Sequence, residues 1–237
     1  MSIIAAPTDA IGIFLKSWNV YQDIIRHNYM FHREISEATH ATLQSLPPLP
    51  ALRVLDLGCG DASMALPLLA ESSTTAYVGC DLSQPALDIA HTQLAKRNIP
   101  HRLYCEDMLR FTAEQSEASV DLVIASYAIH HLNATDKQQL IREITRVLAP
   151  GGRFVLIDIF REPDEDRADY IKNYMGTLRH SWSAVSNDDQ SLVINHATVY
   201  DFPEPSSFYQ THCQKFGFSP GQRIAKHTWH EAWIFTR

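Results

Sequence analysis

The sequence predicts an α/β protein with a doubly wound, mostly parallel sheet, and three observations carry that prediction. Val54, Leu55 and Leu57 form a short apolar run that breaks at Gly58-Cys59-Gly60. A run this short, stopped by glycine, reads as a strand rather than a helix. Tyr77–Asp81 repeats the pattern and ends in an acid 21 residues after Gly60. Val120–Ser126 is almost continuously apolar, as suits a parallel strand covered on both faces. Open α/β sheets bind ligands at the carboxyl ends of their strands, and a glycine turn lets the backbone approach a ligand there.

In chain order, Tyr21, Ile24, Ile25, Phe31 and Ile35 recur at helical spacing within residues 17–46. They predict one helical segment ahead of the sheet, stopped by Pro47-Pro48-Leu49-Pro50. After Gly60 a helix should run through Met64, Leu66, Leu68 and Leu69, kinked by Pro67. Ser83 is a candidate N-cap, with Pro85 in the tolerated first turn of a helix reaching Arg97. Arg102–Cys105 reads as the third strand, before Glu106-Asp107-Met108. Thr135-x-x-Gln138 matches a capping box. Leu140, Ile141, Ile144, Val147 and Leu148 then form one apolar stripe, and Ala149-Pro150-Gly151-Gly152 ends that helix before a fifth strand over Arg153–Ile159. Tyr170, Ile171, Tyr174, Met175, Leu178 and Trp182 suggest an amphipathic helix, and Ser186–Ser191 a loop. A last helix around Ser207–Phe216 precedes two strands, Gln222–Thr228 and Trp229–Arg237.

Composition bounds the partners. The 237 residues, 45% of them hydrophobic, suffice for one large domain with a cap. A net charge of -7 and a pI of about 5.9 argue against a nucleic-acid backbone. The four cysteines, at 59, 80, 105 and 213, show no metal or redox spacing, and the three on or beside predicted strands read as small buried thiols. No apolar run nears the roughly 18 residues of a membrane span, and Met1–Ile13 lacks the pattern of a signal peptide. A cytoplasmic protein with no membrane partner, a monomer or homodimer, is the expectation.

Val54-Leu55-Asp56-Leu57-Gly58-Cys59-Gly60-Asp61 resembles motif I of the class I S-adenosylmethionine (SAM) methyltransferases. The acid at Asp81, Asp107-Met108 after strand three, and the helix, Pro-Gly-Gly turn and strand around residue 150 are similar to that family as well. The likeness is close over residues 50–160 and looser elsewhere. It implies a Rossmann-like sheet of seven strands with the last antiparallel, an N-terminal helical cap over residues 1–50, a SAM-binding core over 51–160, a substrate-cap insert over 160–205 and a C-terminal helix and strand pair over 206–237.

The resemblance also implies roles. The turn from Gly58 to Gly60 would hold the methionine part of SAM, with Asp56 supporting the turn or facing the cofactor's ammonium. Asp81, with Leu82 beside it, would take the ribose; a carboxylate can bind two hydroxyls bidentately. Asp107 and Met108 would hold adenine, and Ser126 would stand at the end of strand four. The sulfonium already activates the methyl group, so positioning of the acceptor, worth roughly 7–11 kcal/mol, is the main task. An alcohol or phenol also needs its proton taken. His131, Tyr127 and Asp158 are the candidate catalytic groups, histidine having a suitable intrinsic pKa. His130, Tyr21, Tyr29, His196 and Tyr200 are candidate substrate contacts, and His27 and His32 lie on the same N-terminal segment. Ser126-Tyr127-Ala128-Ile129 is unlike the N/D-P-P-Y/F run of base-amine methylating enzymes. Ser126 also replaces the first acid of the metal-dependent catechol type. His227 and His230, read as i, i+3 on a strand, would point to opposite faces, so no metal is expected.

The resulting expectation is metal-independent methyl transfer to a small polar or aromatic metabolite at N, O or S. The alternatives are a catalytically inactive SAM-binding or partner protein, a protein or RNA methyltransferase, and a SAM-fold enzyme of other chemistry such as carboxymethyl transfer.

Overall fold

The computed structural model describes residues 20–49, 52–70 and 72–237. Residues 17–19 and Pro50, which the sequence places in the N-terminal helix and its stop, lie outside them. Seven strands form one sheet in the order β3-β2-β1-β4-β5-β7-β6. They are β1 Leu52–Leu57, β2 Thr74–Asp81, β3 His101–Cys105, β4 Val120–Ser126, β5 Leu148–Ile159, β6 Gln222–His227 and β7 His230–Thr236. The pairs along β3-β2-β1-β4-β5 are parallel, and β7 is antiparallel to both its neighbours. This is the Rossmann-like seven-stranded α/β sheet the sequence predicts.

Alternation along each strand sorts the core into two layers. Val54, Tyr77, Leu122, Ile124, Val155 and Ile157 pack with the N-terminal segment and the insert. Leu55, Leu57, Val123, Phe154 and Leu156 pack with Leu140, Ile141 and Ile144 of a 14-residue helix.

The helices are α1 His32–Ser45, α2 Ala65–Leu68, α3 Gln84–Lys96, α4 Met108–Glu114, α5 Ala134–Val147, α6 Arg167–Ser181, α7 Asn187–Tyr200 and α8 Ser206–Lys215. Residues 20–26 are helical as well. Four local expectations need correction. The N-terminal segment is two helices, because Asn28 and Phe31 take left-handed backbone, φ 57° and 58°. Asn28 holds this corner with its amide: Nδ2 donates to Glu34 and Oδ1 accepts from Arg33 N. Asn is one of the few residues that tolerates that region.

The long kinked helix after Gly60 is only one turn, α2, preceded by left-handed Ala62, so Pro67 has no helix interior to break. The cap of α5 is Asn133, whose Oδ1 accepts from Thr135 N and Asp136 N, rather than a Thr135 capping box. Residues 187–191, expected to lie in a loop, open helix α7, which runs to Tyr200. Ser186 caps it through Asp189 N, a signal readable as Ser-x-x-Asp.

Candidate functional site

The turn after β1 is held by backbone groups. Gly58 and Gly60 have φ +68° and +51°. Gly58 N and Cys59 N both donate to Cys80 O, at 2.9 and 3.0 Å. A Cβ on Gly58 would stand 2.4 Å from the Ala128 Cβ, so the loop after β4 closes on the turn only because residue 58 is glycine. Asp81 ties the end of β2 to the same turn: Oδ2 accepts from Gly60 N at 2.9 Å and Oδ1 from Ser83 N at 2.8 Å. Each oxygen keeps lone-pair capacity for a ligand hydroxyl. Burial pushes the Asp81 carboxyl upward against these bonds.

Asp56 lies below the turn, buried, accepting from the Tyr77 hydroxyl at 2.6 Å. Burial pushes its carboxyl up to about 7. This bond ties β1 to β2 below the turn. Leu82 is 41% exposed beside Asp81. Asp107 caps α4 through Oδ1, which accepts from Leu109 N and Arg110 N; Oδ2 is the oxygen turned to neither. Met108 reaches the turn, its methyl standing 3.4 Å from the Cβ position of Gly58. Ser126 Oγ is buried without a hydrogen-bond partner.

The β4–β5 end is arranged differently. Asp158 is 0% exposed. Its Oδ2 accepts from His130 N at 3.0 Å, and its Oδ1 contacts His130 Nδ1 at 2.5 Å and accepts from Ile159 N at 2.9 Å. Asp158 is therefore a support for His130 and does not face a substrate as a base. Burial opposes charge on His130, but the Asp158 and Asp201 carboxylates outweigh it and hold that imidazole above its ordinary range. Tyr127, at φ +51°, donates to Met30 O at 2.6 Å. Burial raises its hydroxyl well above the usual range, so it staples the N-terminal segment to the site as a protonated group and is no proton acceptor. His131 is part-buried, and its Nδ1 lies 3.3 Å from both Asp201 Oδ1 and Tyr200 O.

Tyr21 feels Asp61, Asp81 and Asp158 together, and burial first, then those charges, keep its hydroxyl protonated. Its ring meets His32, which meets Tyr127; Tyr127 in turn meets His230. The Tyr174 hydroxyl hydrogen-bonds His230 Nε2. His32 Nδ1 and Nε2 and His230 Nδ1 are buried without a partner. Burial lowers these two imidazoles to about 4 and about 3, so both are neutral.

His196 stands against His131, ring centroids 5.2 Å apart, and Tyr200 against His196. Tyr29 is elsewhere: its ring stacks on Trp182 and on His27, and its hydroxyl accepts from Ala184 N. It joins cap to insert rather than lining the site. His227 and His230 are cross-strand partners at a hairpin, not two positions on one strand, and His227 stacks on Phe31.

Sequence reasoning missed Asp201 and buried Lys137, which bonds both Leu132 O and Phe202 O; it read His230 as a strand-edge or pocket-lining residue. A signal existed only for Asp201, an acid just before Phe202-Pro203 at the end of the insert.

A glycine turn with left-handed backbone, a buried carboxylate beside it, an exposed Leu82 platform and an unpartnered Ser126 Oγ fit a nucleoside cofactor with an amino-acid tail. The comparisons agree. Residues 54–152 match the family described as a methyltransferase domain. The chain is 33% identical over 153 residues to the uncharacterized methyltransferase sll0829 of Synechocystis sp., covering 64% of this chain and 68% of that protein. It is 28% identical over 188 residues to a carboxy-S-adenosyl-L-methionine synthase of Actinobacillus succinogenes, covering 76% of this chain and 74% of that one. Magnesium protoporphyrin IX methyltransferase of Synechocystis PCC 6803, solved with bound SAH, superposes with a TM-score of 0.61 at 16% identity over 92% of this chain and 86% of its own. The fold and the site define a nucleoside-binding α/β transferase. The chain belongs to the class I SAM-dependent methyltransferases, and its cofactor is SAM. Among the described residues no helix is long and apolar enough to cross a membrane.

Proposed function

We propose that the protein transfers the methyl group of SAM to a small polar or aromatic metabolite. The observation that carries this reading is the set of unpartnered, buried ring nitrogens on His32 and His230, enclosed by Tyr21, Tyr127 and Tyr174. Buried polar atoms are hydrogen-bonded in nearly all native structures, so these nitrogens await a ligand. A neutral imidazole has one donor and one acceptor; His32 offers both and His230, whose Nε2 bonds Tyr174, offers Nδ1, and aromatic rings favour a flat or apolar body. A site bounded by these groups would take a compact molecule with one or two heteroatoms, and would suit a polypeptide or RNA poorly.

Gly58–Gly60, Asp81, Asp107 and Met108 hold SAM, and the cofactor supplies an electrophilic methyl group. The protein's own work is to seat the acceptor and exclude water, which Tyr21 and the Tyr127–Met30 staple do from the cap side. The test is calorimetric titration with SAM and S-adenosylhomocysteine, then a panel of phenols, alcohols, amines and thiols read by product mass. Micromolar cofactor binding with methylation of a small acceptor is the expected result. Tight cofactor binding with no product from any acceptor would instead favour a SAM-binding partner protein. The likeness to a carboxy-S-adenosyl-L-methionine synthase gives the product mass a second use, since a carboxymethyl increment would reassign the chemistry.

A further inference from the structure

The end of the insert and the loop after β4 meet in a cluster of donors drawn from separate parts of the chain. His130 and His131 come from the short turn after β4, and Asp201 is the residue that ends α7. One ring nitrogen of each histidine and one carboxylate oxygen of Asp201 all lie within 4.8 Å of one another. His131 Nδ1 stands 3.3 Å from Asp201 Oδ1, and His130 Nε2 stands 3.8 Å from the same oxygen. Donors bound to a tetrahedral zinc ion at about 2.0–2.1 Å are themselves about 3.3 Å apart. The first pair stands at that separation and the second close to it.

Three features set this cluster apart from an ordinary buried ion pair. Asp201 Oδ1 has the two imidazoles at 3.3 and 3.8 Å and its side chain is only 5% exposed, and a buried carboxylate oxygen held no more closely than that is costly. His130 is fixed from behind, with Nδ1 against Asp158 and Nε2 toward Asp201. A carboxylate on the far nitrogen is the usual way a metal-binding histidine is given its tautomer and orientation. The backbone carrying the donors is clamped as well. Phe202 N donates to His130 O at 2.8 Å, Arg167 Nε donates to Asp201 O at 2.6 Å, and Lys137 bridges Leu132 O and Phe202 O.

We propose that His130, His131 and Asp201 form a binding site for a divalent ion of the zinc class, with Asp158 as the outer carboxylate that orients His130. Two imidazoles and one carboxylate suit zinc and its transition-metal neighbours better than magnesium or calcium. Three protein donors leave a coordination position open, as in catalytic rather than structural zinc sites. His131 is the most exposed of the three, at 25%, so the open position faces the mouth of the site. His196 packs against His131 and Tyr200 O lies 3.3 Å from it, completing a polar rim. The acceptor class this implies is an alcohol or phenol. Coordination of its oxygen to the ion lowers the O–H pKa, and the proton leaves to water. The ion then does the proton-removing work for which His131 is one of the candidates in the sequence. This role rests on the methyl-transfer reading above; binding of the ion does not.

Equilibrium dialysis of the untagged, metal-stripped chain against zinc chloride tests the site, with cobalt(II) chloride titration followed by visible absorption alongside. Neither SAM nor an acceptor is needed. One equivalent per chain, with the absorption of tetrahedral cobalt, is expected. Asp201→Asn should weaken binding at least tenfold, and Asp158→Asn about 10–100-fold, as for other outer-shell carboxylates. His91→Ala, which removes half of the surface His91–His101 pair, should change nothing. If Asp201→Asn fails to fold by circular dichroism, His131→Gln at the part-exposed position carries the same expectation.

A folded wild-type chain that binds neither ion overturns the proposal. So does binding that His91→Ala abolishes, or that survives both Asp201→Asn and His131→Gln. Titration of the same metal-free sample with S-adenosylhomocysteine reports on the cofactor pocket separately, so failure of the metal site and failure of the methyltransferase reading give different results.

Discussion

On the β1–β3 side of the site the ligand cradle is held by backbone. Gly58 N and Cys59 N bond Cys80 O, Gly60 N bonds Asp81, and the two glycines supply the left-handed turn. On the β4–β7 side the site is held by side chains that converge from distant segments: Tyr127 on Met30, His130 on Asp158, His131 on Asp201, Tyr174 on His230. A backbone cradle depends on a few local residues and tolerates little change in them. A convergent side-chain wall depends on the whole tertiary structure, and any member can be exchanged. On the function proposed above, the first half serves a fixed cofactor and the second the acceptor, so the division of construction would follow the division of function.

Acid should act on the two halves with opposite sign, and this is the largest effect expected. His32 and His230 are lowered by burial to about 4 and about 3, against about 6.5 in the unfolded chain. Their folded-state pKa values are depressed, so the stability tied to their neutral forms is complete above about pH 6.5. It is lost as pH falls toward 4, at about 1.4 kcal/mol per pH unit for each ring. Asp56 is raised by burial to about 7, so its folded form binds a proton that the unfolded chain releases above about 3.9. Lowering the pH from 7 relieves that cost. Hydrogen exchange at pH 7 and pH 5 should show protection falling in α1 and the β6–β7 hairpin while β1 and β2 hold or gain. Parallel loss in both halves would erase the distinction.

Gly58→Ala comes next. The substitution puts a Cβ at φ +68° and 2.4 Å from Ala128 Cβ, so strain and overpacking together should cost about 2–4 kcal/mol. Urea denaturation measures the loss, and S-adenosylhomocysteine affinity should fall with it. Asp81→Ala should weaken cofactor binding by about 1.5–3 kcal/mol, the scale of hydrogen bonds to a charged group, with a smaller loss of fold stability from the freed Gly60 N. If Asp81→Ala leaves calorimetric affinity unchanged, the ribose assignment fails.

The same contrast explains what was legible in the sequence. The glycine turn, Asp81, Asp107 and the positions of the strands follow from short local patterns, because backbone conformation is written in neighbouring residues. Asp56 was legible as a site residue, but its contact with Tyr77 needed the parallel register that sets β1 beside β2. Asp158 stood at the right strand end, yet only the fold shows both its oxygens spent on His130 and Ile159. Asp201 and His131 are 70 residues apart in number and meet because α6 and α7 return the chain to the loop after β4. The hairpin that pairs His227 with His230 has no glycine or Asn-Gly signal, its tip being Thr228, at φ 51°, and Trp229.

Tyr127→Phe makes the smallest change and isolates the hydroxyl. The ring keeps its place against His32 and His230, so the apolar packing of the wall is retained. What is lost is the 2.6 Å bond to Met30 O, which leaves a buried carbonyl short of its partner, at a cost of about 1 kcal/mol. Met30 belongs to the segment that joins the helical residues 20–26 to α1, so the loss should appear as faster hydrogen exchange there. Cofactor affinity should stay within about twofold of wild type, because no group of the cradle is touched and twofold is only about 0.4 kcal/mol. Turnover should fall more than affinity if the cap must be closed for the acceptor to be held. A Tyr127→Phe chain with unchanged cap exchange but tenfold weaker cofactor binding would place that hydroxyl in the cradle, and would move the boundary between the two halves of the site.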